Sequence, residues 1–480
     1  MTWRGSLTNN LPERPAVNAF CNDVLSDLDA VDIAAHIQRG EFSINEVLNA
    51  SIKRIENVNP TLNALARETY ELARTQSQSL PDGLMKGVPS LIKDNENVIG
   101  LPTLHGSAAF DEKPATRSSD FVKQFDSLGL MTLGKTTLPE FGLTATTEST
   151  HLPPTVNPWN TKFSCGGSSG GSAALVAAGA VPIAHGNDGG GSIRIPASCC
   201  GLIGLKPTRG RLHNIQGSEA MPINIVNQGV LTRTVRDTAT FLYGAEKYCR
   251  NHELPALGHV DSPNDNKLRI GFFINGPEHI LTDSDCASAV LKAVKHCESL
   301  GHIVEEIPFP FDSKLGDDFL VYWSLLAFSL HVASKHVVGQ AAKKDKLEPL
   351  TKQMSRNYLT QAYKTPFSIS RLKHFAHTYE KVFKDYDVIV SPVLGHPPPK
   401  IGYLVGEDIS LNSAIERLRR YVPFTAIQNI SGAPAISLPI AMSQTGLPIG
   451  VQFAASYGND KSLIELAYAL EASEAFHGNR

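Results

Sequence analysis

Apolar residues return every three or four positions through most of residues 28–80, as in "VDIAAHIQRGEFSINEVLNASIKRIENV", which is the spacing of helices with one buried face. A compact apolar run, "GVPSLIKD" (87–94), then predicts a short buried strand that runs into polar residues. The pattern next predicts a helix over 118–129 and a strand over 130–134. Beyond a long glycine- and serine-rich block it gives a strand in "LRIGFFI" (268–274), a helix over 286–302 and a strand in "HIVEEIPF" (302–309). Strand-like runs come back at 386–392, 434–440 and 447–455, and a last helix is predicted over 461–474.

Strands alternating with helices predict an α/β fold whose central sheet, mixed and mostly parallel, is covered by helices on both faces. The late strands resemble the early ones, so we expect a single large domain over 28–475 behind an N-terminal arm of residues 1–27. Residues 254–266 read as a loop. Residues 317–384 are almost entirely helical and break the alternation, which suits an excursion over one edge of the core, near the substrate entrance.

Composition narrows the function classes. With 42% hydrophobic and 19% charged residues the chain can bury an ordinary globular core. A net charge of −3, with Lys and Arg scattered, leaves no footprint for nucleic acid or an anionic membrane. The first twenty residues lack the apolar stretch of a secretory signal. The seven cysteines form no C-x-x-C pair, so they read as reduced thiols of a cytoplasmic protein, and Cys165 as a small buried thiol.

The chemistry must come from "SCGGSSGGSAALVAAGAVPIAHGNDGGGSIRIPASCCG" (164–201), far richer in glycine and serine than a core requires. A phosphate cradle, a serine-hydrolase elbow, an oxyanion-binding loop and a flexible linker are the competing readings. "GLMTLGKT" (129–136) fits the phosphate-loop pattern and nominates Lys135 for a nucleotide. Its middle residues read as the strand itself, however, and a helix precedes Gly129 where a strand is needed. Gly167–Gly171 fits G-x-S-x-G with Ser169 at the centre, but "NPWNTKFSCGG" before it offers no convincing strand. His374 and His377, three apart with Glu380, read as a helix surface rather than a metal site.

The oxyanion reading accounts for the whole block. Three glycines lead into Ser192, and the amides of Gly189, Gly190, Gly191 and Ser192 can converge on one developing negative charge. Ser192 is then the natural nucleophile. No histidine stands in an informative place to serve as its base, and a buried neutral lysine is the known substitute, which points to Lys93 in "VPSLIKDN".

These stretches, with "LGKTTLPEFG", "GVLTRTVRD" and "GAPAISLPIAMSQTGLPIGVQF", make the chain resemble the amidase signature family from about residue 28 to 475. The resemblance implies an amidohydrolase that opens linear or cyclic amides through a serine acyl-enzyme. It assigns Ser192 as nucleophile, Ser168 as a bridging serine on a cis peptide after Gly167, Lys93 as base and Gly189–Ser192 as oxyanion loop. Gly189 and Asn187 depart from the family's commoner bulky residue and threonine. Ser169 either assists Ser168 or caps the following helix, while Asp188 and Arg194 suit scaffold pairing; Lys86 and Lys206 read as surface or structural. Within the family the chain looks most like the 6-aminohexanoate-cyclic-dimer hydrolase branch, with the A subunit of glutamyl-tRNA amidotransferase as runner-up. The resemblance further implies a small-molecule amide substrate, no metal or other cofactor, no obligatory partner subunit and at most self-association as a homodimer.

Overall fold

The computed structural model describes residues 14–277, 280–406 and 408–476; residues 1–13 of the expected N-terminal arm lie outside them. The early helices are Ala30–Gln38 and Ile44–Leu62. The second begins at a reciprocal capping box, in which the Ser43 hydroxyl accepts from the Glu46 amide and the Glu46 carboxylate accepts from the Ser43 amide. It ends at Asn63, which takes the left-handed conformation.

A short strand, β1 (Leu65–Glu68), interrupts the region whose spacing predicts only helices. It pairs antiparallel with β3 (Met131–Thr136), which runs parallel to β2 (Pro89–Lys93). Every residue of β2 and β3 is buried, so their apolar runs carry no alternation. A small hairpin, β4 (Val156–Asn157) and β5 (Asn160–Ser164), follows.

The large sheet contains β6 (Ile183–Asp188), β7 (Ile203–Lys206), β8 (Asn227–Thr232), β9 (Arg269–Phe272), β10 (Ile303–Glu306), β11 (Val388–Pro392), β12 (Ala435–Met442) and β13 (Pro448–Ala455). Their spatial order is β10-β9-β11-β13-β12-β7-β8-β6. The fold is α/β with a mixed sheet flanked by helices, as expected, but the predominance of parallel pairing is corrected. Only β10–β9 and β9–β11 are parallel, and the other neighbouring pairs are antiparallel. Buried strands look alike in either direction, and the tight Ser443–Leu447 connection obliges β12 and β13 to run antiparallel.

Helices Arg194–Cys200 and Ser284–Ser299 pack on the central strands. The excursion consists of helices Lys314–Val337, Pro349–Gln361 and Thr365–Val382, and Tyr322, Phe375 and Tyr379 form a second core beneath it with Ile427 and Ile430. Among the described residues no helix is long and apolar enough to cross a membrane.

Candidate active site

β2 delivers Lys93 into a fully buried position, at 0% exposure, where β2 and β6 pack together. The Lys93 backbone N–H donates to His185 Nδ1 at 3.2 Å, and its Nζ lies 2.8 Å from Ser168 Oγ, 2.9 Å from Ser169 Oγ and 2.8 Å from Asn187 Oδ1. Burial pushes the amine down to about 7, against the opposing pull of the Asp188 and Glu96 charges. A lysine at that value is substantially neutral at physiological pH.

The serine segment approaches from the other side. The Gly167–Ser168 peptide is cis, as the resemblance implies. Gly142, at φ +70°, comes so close that a Cβ there would stand 2.9 Å from Ser168 Oγ. Ser169 precedes the helix Gly170–Ala177 but makes no side-chain cap, so of its two expected roles capping is set aside. Its hydroxyl lies 3.3 Å from the Asn187 carbonyl, to which it donates, and accepts from the Asn187 amide at 3.3 Å. The absence of a strand before this segment is also corrected, because β5 ends at Ser164. That strand belongs to the small hairpin, three residues separate it from Ser168, and Ser169 is buried on Lys93 rather than displayed at an elbow.

β6 ends at Asp188, whose carboxylate organises the next six residues. Asp188 Oδ1 accepts from the Gly191 amide at 2.7 Å, and Oδ2 accepts from the Ile193 amide at 3.2 Å. Arg194 clamps the same carboxylate through Nε and Nη2, both at 2.9 Å, and neither side chain is exposed. Burial works against ionisation of Asp188, yet Arg194 and the Asn429 amide hold it down at about 2. This is the scaffold pairing expected of the two residues. It narrows the expected nest of donors, because the Gly191 amide is already committed. Among the described residues nothing accepts from the Gly189, Gly190 or Ser192 amides. At Gly191, with φ +129°, a Cβ would lie 2.3 Å from Thr425 Oγ1, so this turn tolerates only glycine.

Ser192 is 7% exposed and opens onto two cavities. One, of about 160 Å³, is walled by Phe309, Phe319, Leu320 and Ile430; the other, of about 380 Å³, includes Glu96, His105, Ser168 and Asn187. Gly142, Leu143, Trp323 and Ser192 border both.

The remaining candidates stand elsewhere. Lys135 lies on β3 and its Nζ meets Asp94 at 2.5 Å, the Pro102 carbonyl at 2.8 Å and Thr103 Oγ1 at 2.9 Å, all within the protein. The strand expected over 130–134 is β3, Met131–Thr136, which takes in Lys135 itself and leaves no phosphate loop there. His374 and His377 share the helix Thr365–Val382, and among the described residues no three His, Cys, Asp or Glu side chains are grouped to hold a metal. Cys165 is buried and burial raises its thiol, which suits the packing reading. Lys86 is at the surface, whereas Lys206 is fully buried at the end of β7 and donates to the Pro207 carbonyl.

Sequence reasoning passed over three groups. His185 holds the Lys93 backbone, and its Nε2 lies 2.9 Å from Gln228 Oε1. Gln228 Nε2 donates to Glu96 Oε1 at 2.5 Å. Because the Lys93 amide can only donate to Nδ1, the imidazole proton sits on Nε2, and the chain of donors runs from Lys93 to Glu96. Burial keeps His185 neutral, near 3. The one visible signal was a carboxylate three residues beyond Lys93.

The Amidase family profile matches residues 46–464. The chain belongs to the amidase signature family. This amidase is 42% identical over 460 residues to "Putative amidase AmiC" of Mycobacterium tuberculosis, covering 95% of this chain and 96% of that one. It is 34% identical over 482 residues to the 6-aminohexanoate-cyclic-dimer hydrolase of Paenarthrobacter ureafaciens, covering 93% and 94%. The solved structure of a 6-aminohexanoate cyclic dimer hydrolase superposes on the amidase with a TM-score of 0.85 at 31% identity, covering 93% of this chain and 97% of that one. The amidase is accordingly a hydrolase of carbon–nitrogen bonds.

Proposed function

We propose that the amidase cleaves a small carboxamide through an acyl-enzyme on Ser192, with Ser168 relaying the proton and Lys93 as base. The observation that carries this reading is the hydrogen-bond set of Lys93 Nζ. A neutral amine has two N–H groups and one lone pair. Asn187 Oδ1, at 2.8 Å, can only accept, so it takes one N–H. Ser169 gives its own proton to the Asn187 carbonyl and so accepts the second N–H. The lone pair is left for Ser168, whose O–H donates to it at 2.8 Å.

Ser192 Oγ then attacks the substrate carbonyl carbon while its proton moves to Ser168 and that of Ser168 moves to Lys93. The negative oxygen of the tetrahedral intermediate is held by the Gly189, Gly190 and Ser192 amides, each such donor being worth about 3–4 kcal/mol. When the C–N bond breaks, the proton returns by the same route to the leaving nitrogen, and water then hydrolyses the ester. We read residues 28–475 as the catalytic domain behind an arm of residues 1–27. The enzyme works alone on its amide, and the seven free cysteines favour the cytoplasm.

A fluorophosphonate probe with peptide mapping tests the assignment: the label is expected on Ser192, within the 189–194 peptide. Ser192→Ala is expected to lose about a thousandfold or more in kcat/KM with the melting temperature kept. A label on Ser169, or hydrolysis of glutamine alone and only with a co-purified subunit, replaces this reading.

A further inference from the structure

The larger cavity carries charge of one sign. Among the described residues its ionisable lining groups are Glu96 and His105, with no lysine or arginine. Burial and the nearby Lys135 charge keep His105 neutral, near 3. Glu96 is 1% exposed; besides the bond from Gln228, its Oε2 accepts from Ser119 Oγ at 2.5 Å, which leaves each carboxyl oxygen a free lone pair. Beside it Asn95 Oδ1 is buried and, among the described residues, has no hydrogen-bond partner. The amines nearest Glu96 are spoken for: Lys135 is paired with Asp94, and Lys93 is held by Ser168, Ser169 and Asn187.

We infer that this cavity is an amine-recognising subsite, in which Glu96 and Asn95 take a terminal ammonium group carried by the substrate. An ammonium brings three donors and one positive charge, which pairs Asn95 Oδ1 and neutralises Glu96. A carboxylate there sets a second anion against Glu96 and leaves Asn95 Oδ1 unpaired, which disfavours acidic amides even though Asn187 Nδ2, unpartnered among the described residues, could donate to one. Gly189 belongs to the same cavity: a Cβ on it would already stand 3.3 Å from Val226 and 3.6 Å from Trp323, so the missing side chain keeps the space open. Burial pushes Glu96 up to about 7, so its charge, and with it the preference, grows as pH rises through neutrality while an alkylamine stays protonated.

The inference rests on Ser192 being the point of attack, and two measurements separate the two ideas. Calorimetry on the intact protein and on Ser192→Ala compares n-hexylammonium with hexanoate; the amine is expected to bind about tenfold tighter or more, without any turnover. Hydrolysis then compares matched carboxamides ending in amino, methyl or carboxylate groups, placed on the acyl side in one set and on the amine side in the other. Glu96→Gln is expected to lower the amino-to-methyl ratio of kcat/KM about tenfold, and the ratio within one variant cancels any change in the chemical step. Equal or tighter binding of hexanoate, or a ratio unmoved by Glu96→Gln, overturns the subsite. Preferential amine binding with no hydrolysis of any amide overturns the amidase assignment and leaves the subsite standing.

Discussion

If Lys93 is the base, as proposed, it sets the pH behaviour of the site. Only its neutral form accepts a proton, so kcat/KM is expected to climb as pH rises through about 7, the value to which burial lowers it. Glu96 titrates in the same range and interacts with Lys93, so the limb belongs to the pair until Glu96→Gln isolates the lysine. On the same proposal Asn187, whose Oδ1 lies 2.8 Å from Lys93 Nζ, is a positioning residue that acts through Lys93. Asn187→Asp places an anion on the amine, favours its ammonium form and is expected to move the limb to higher pH by about one unit or more. Asn187→Leu removes an acceptor from that ammonium, so its limb does not rise; its kcat falls because one N–H is no longer held and the lone pair wanders from Ser168. A uniform loss of rate in both variants, with the limb in place, would make Asn187 merely structural. Lys93, Ser168 and Ser192 stood out in the sequence as candidates because their neighbours, an apolar run and glycine clusters, are unusual. Asn187 was visible only as a departure from the family, and His185, Gln228 and Glu96 look like ordinary strand and loop residues until the sheets bring them together.

At the scale of elements, the site depends on a turn between β6 and the helix Arg194–Cys200. Asp188 gathers the Gly191, Ile193 and Arg194 amides and the Arg194 guanidinium, which also meets Gln428, Asn429 and Gln452. Arg194→Met leaves Asp188 buried and uncompensated, and is expected to cost about 3–5 kcal/mol in urea unfolding. Because Asp188 is depressed from 3.8 to about 2, its pairing contributes stability above pH 4 or so that is lost as pH falls toward about 2. An Arg194→Met protein as stable as wild type would show that the clamp contributes little. Apolar spacing foretold β2, β3 and β9–β13 closely. It missed β6 and β8, since "IAHGND" and "NQGVLT" mix polar residues and glycine into strands buried on both faces. It missed β1 because four residues with alternating burial sit between two strong helical patterns.

Across the whole molecule, β2 of the small sheet brings Lys93, the segment after β5 brings Ser168, the turn after β6 of the large sheet brings Ser192, and the helical excursion closes the site. The sequence indicated that 317–384 leaves the sheet but not what it covers, because helix patterning identifies a buried face without naming its partner. Phe319 and Trp323 of the helix Lys314–Val337 lie over the Gly189–Gly190 turn, their rings stacked at 5.4 Å. The indole N–H of Trp323 donates to the Leu143 carbonyl at 3.1 Å, which fixes the ring where the two cavities meet. On the proposed reading, Trp323 would divide the two halves of a bound substrate. Trp323→Ala is expected to join the cavities, lower stability by up to about 3 kcal/mol and narrow the rate difference between compact and bulky amides. The change belongs in KM more than in kcat, because among the described residues the indole N–H bonds to the Leu143 carbonyl and not to Lys93, Ser168 or Asp188. A panel of anilides with acyl groups of increasing bulk reads it: an unchanged order of kcat/KM across the panel would mean that another residue divides the site.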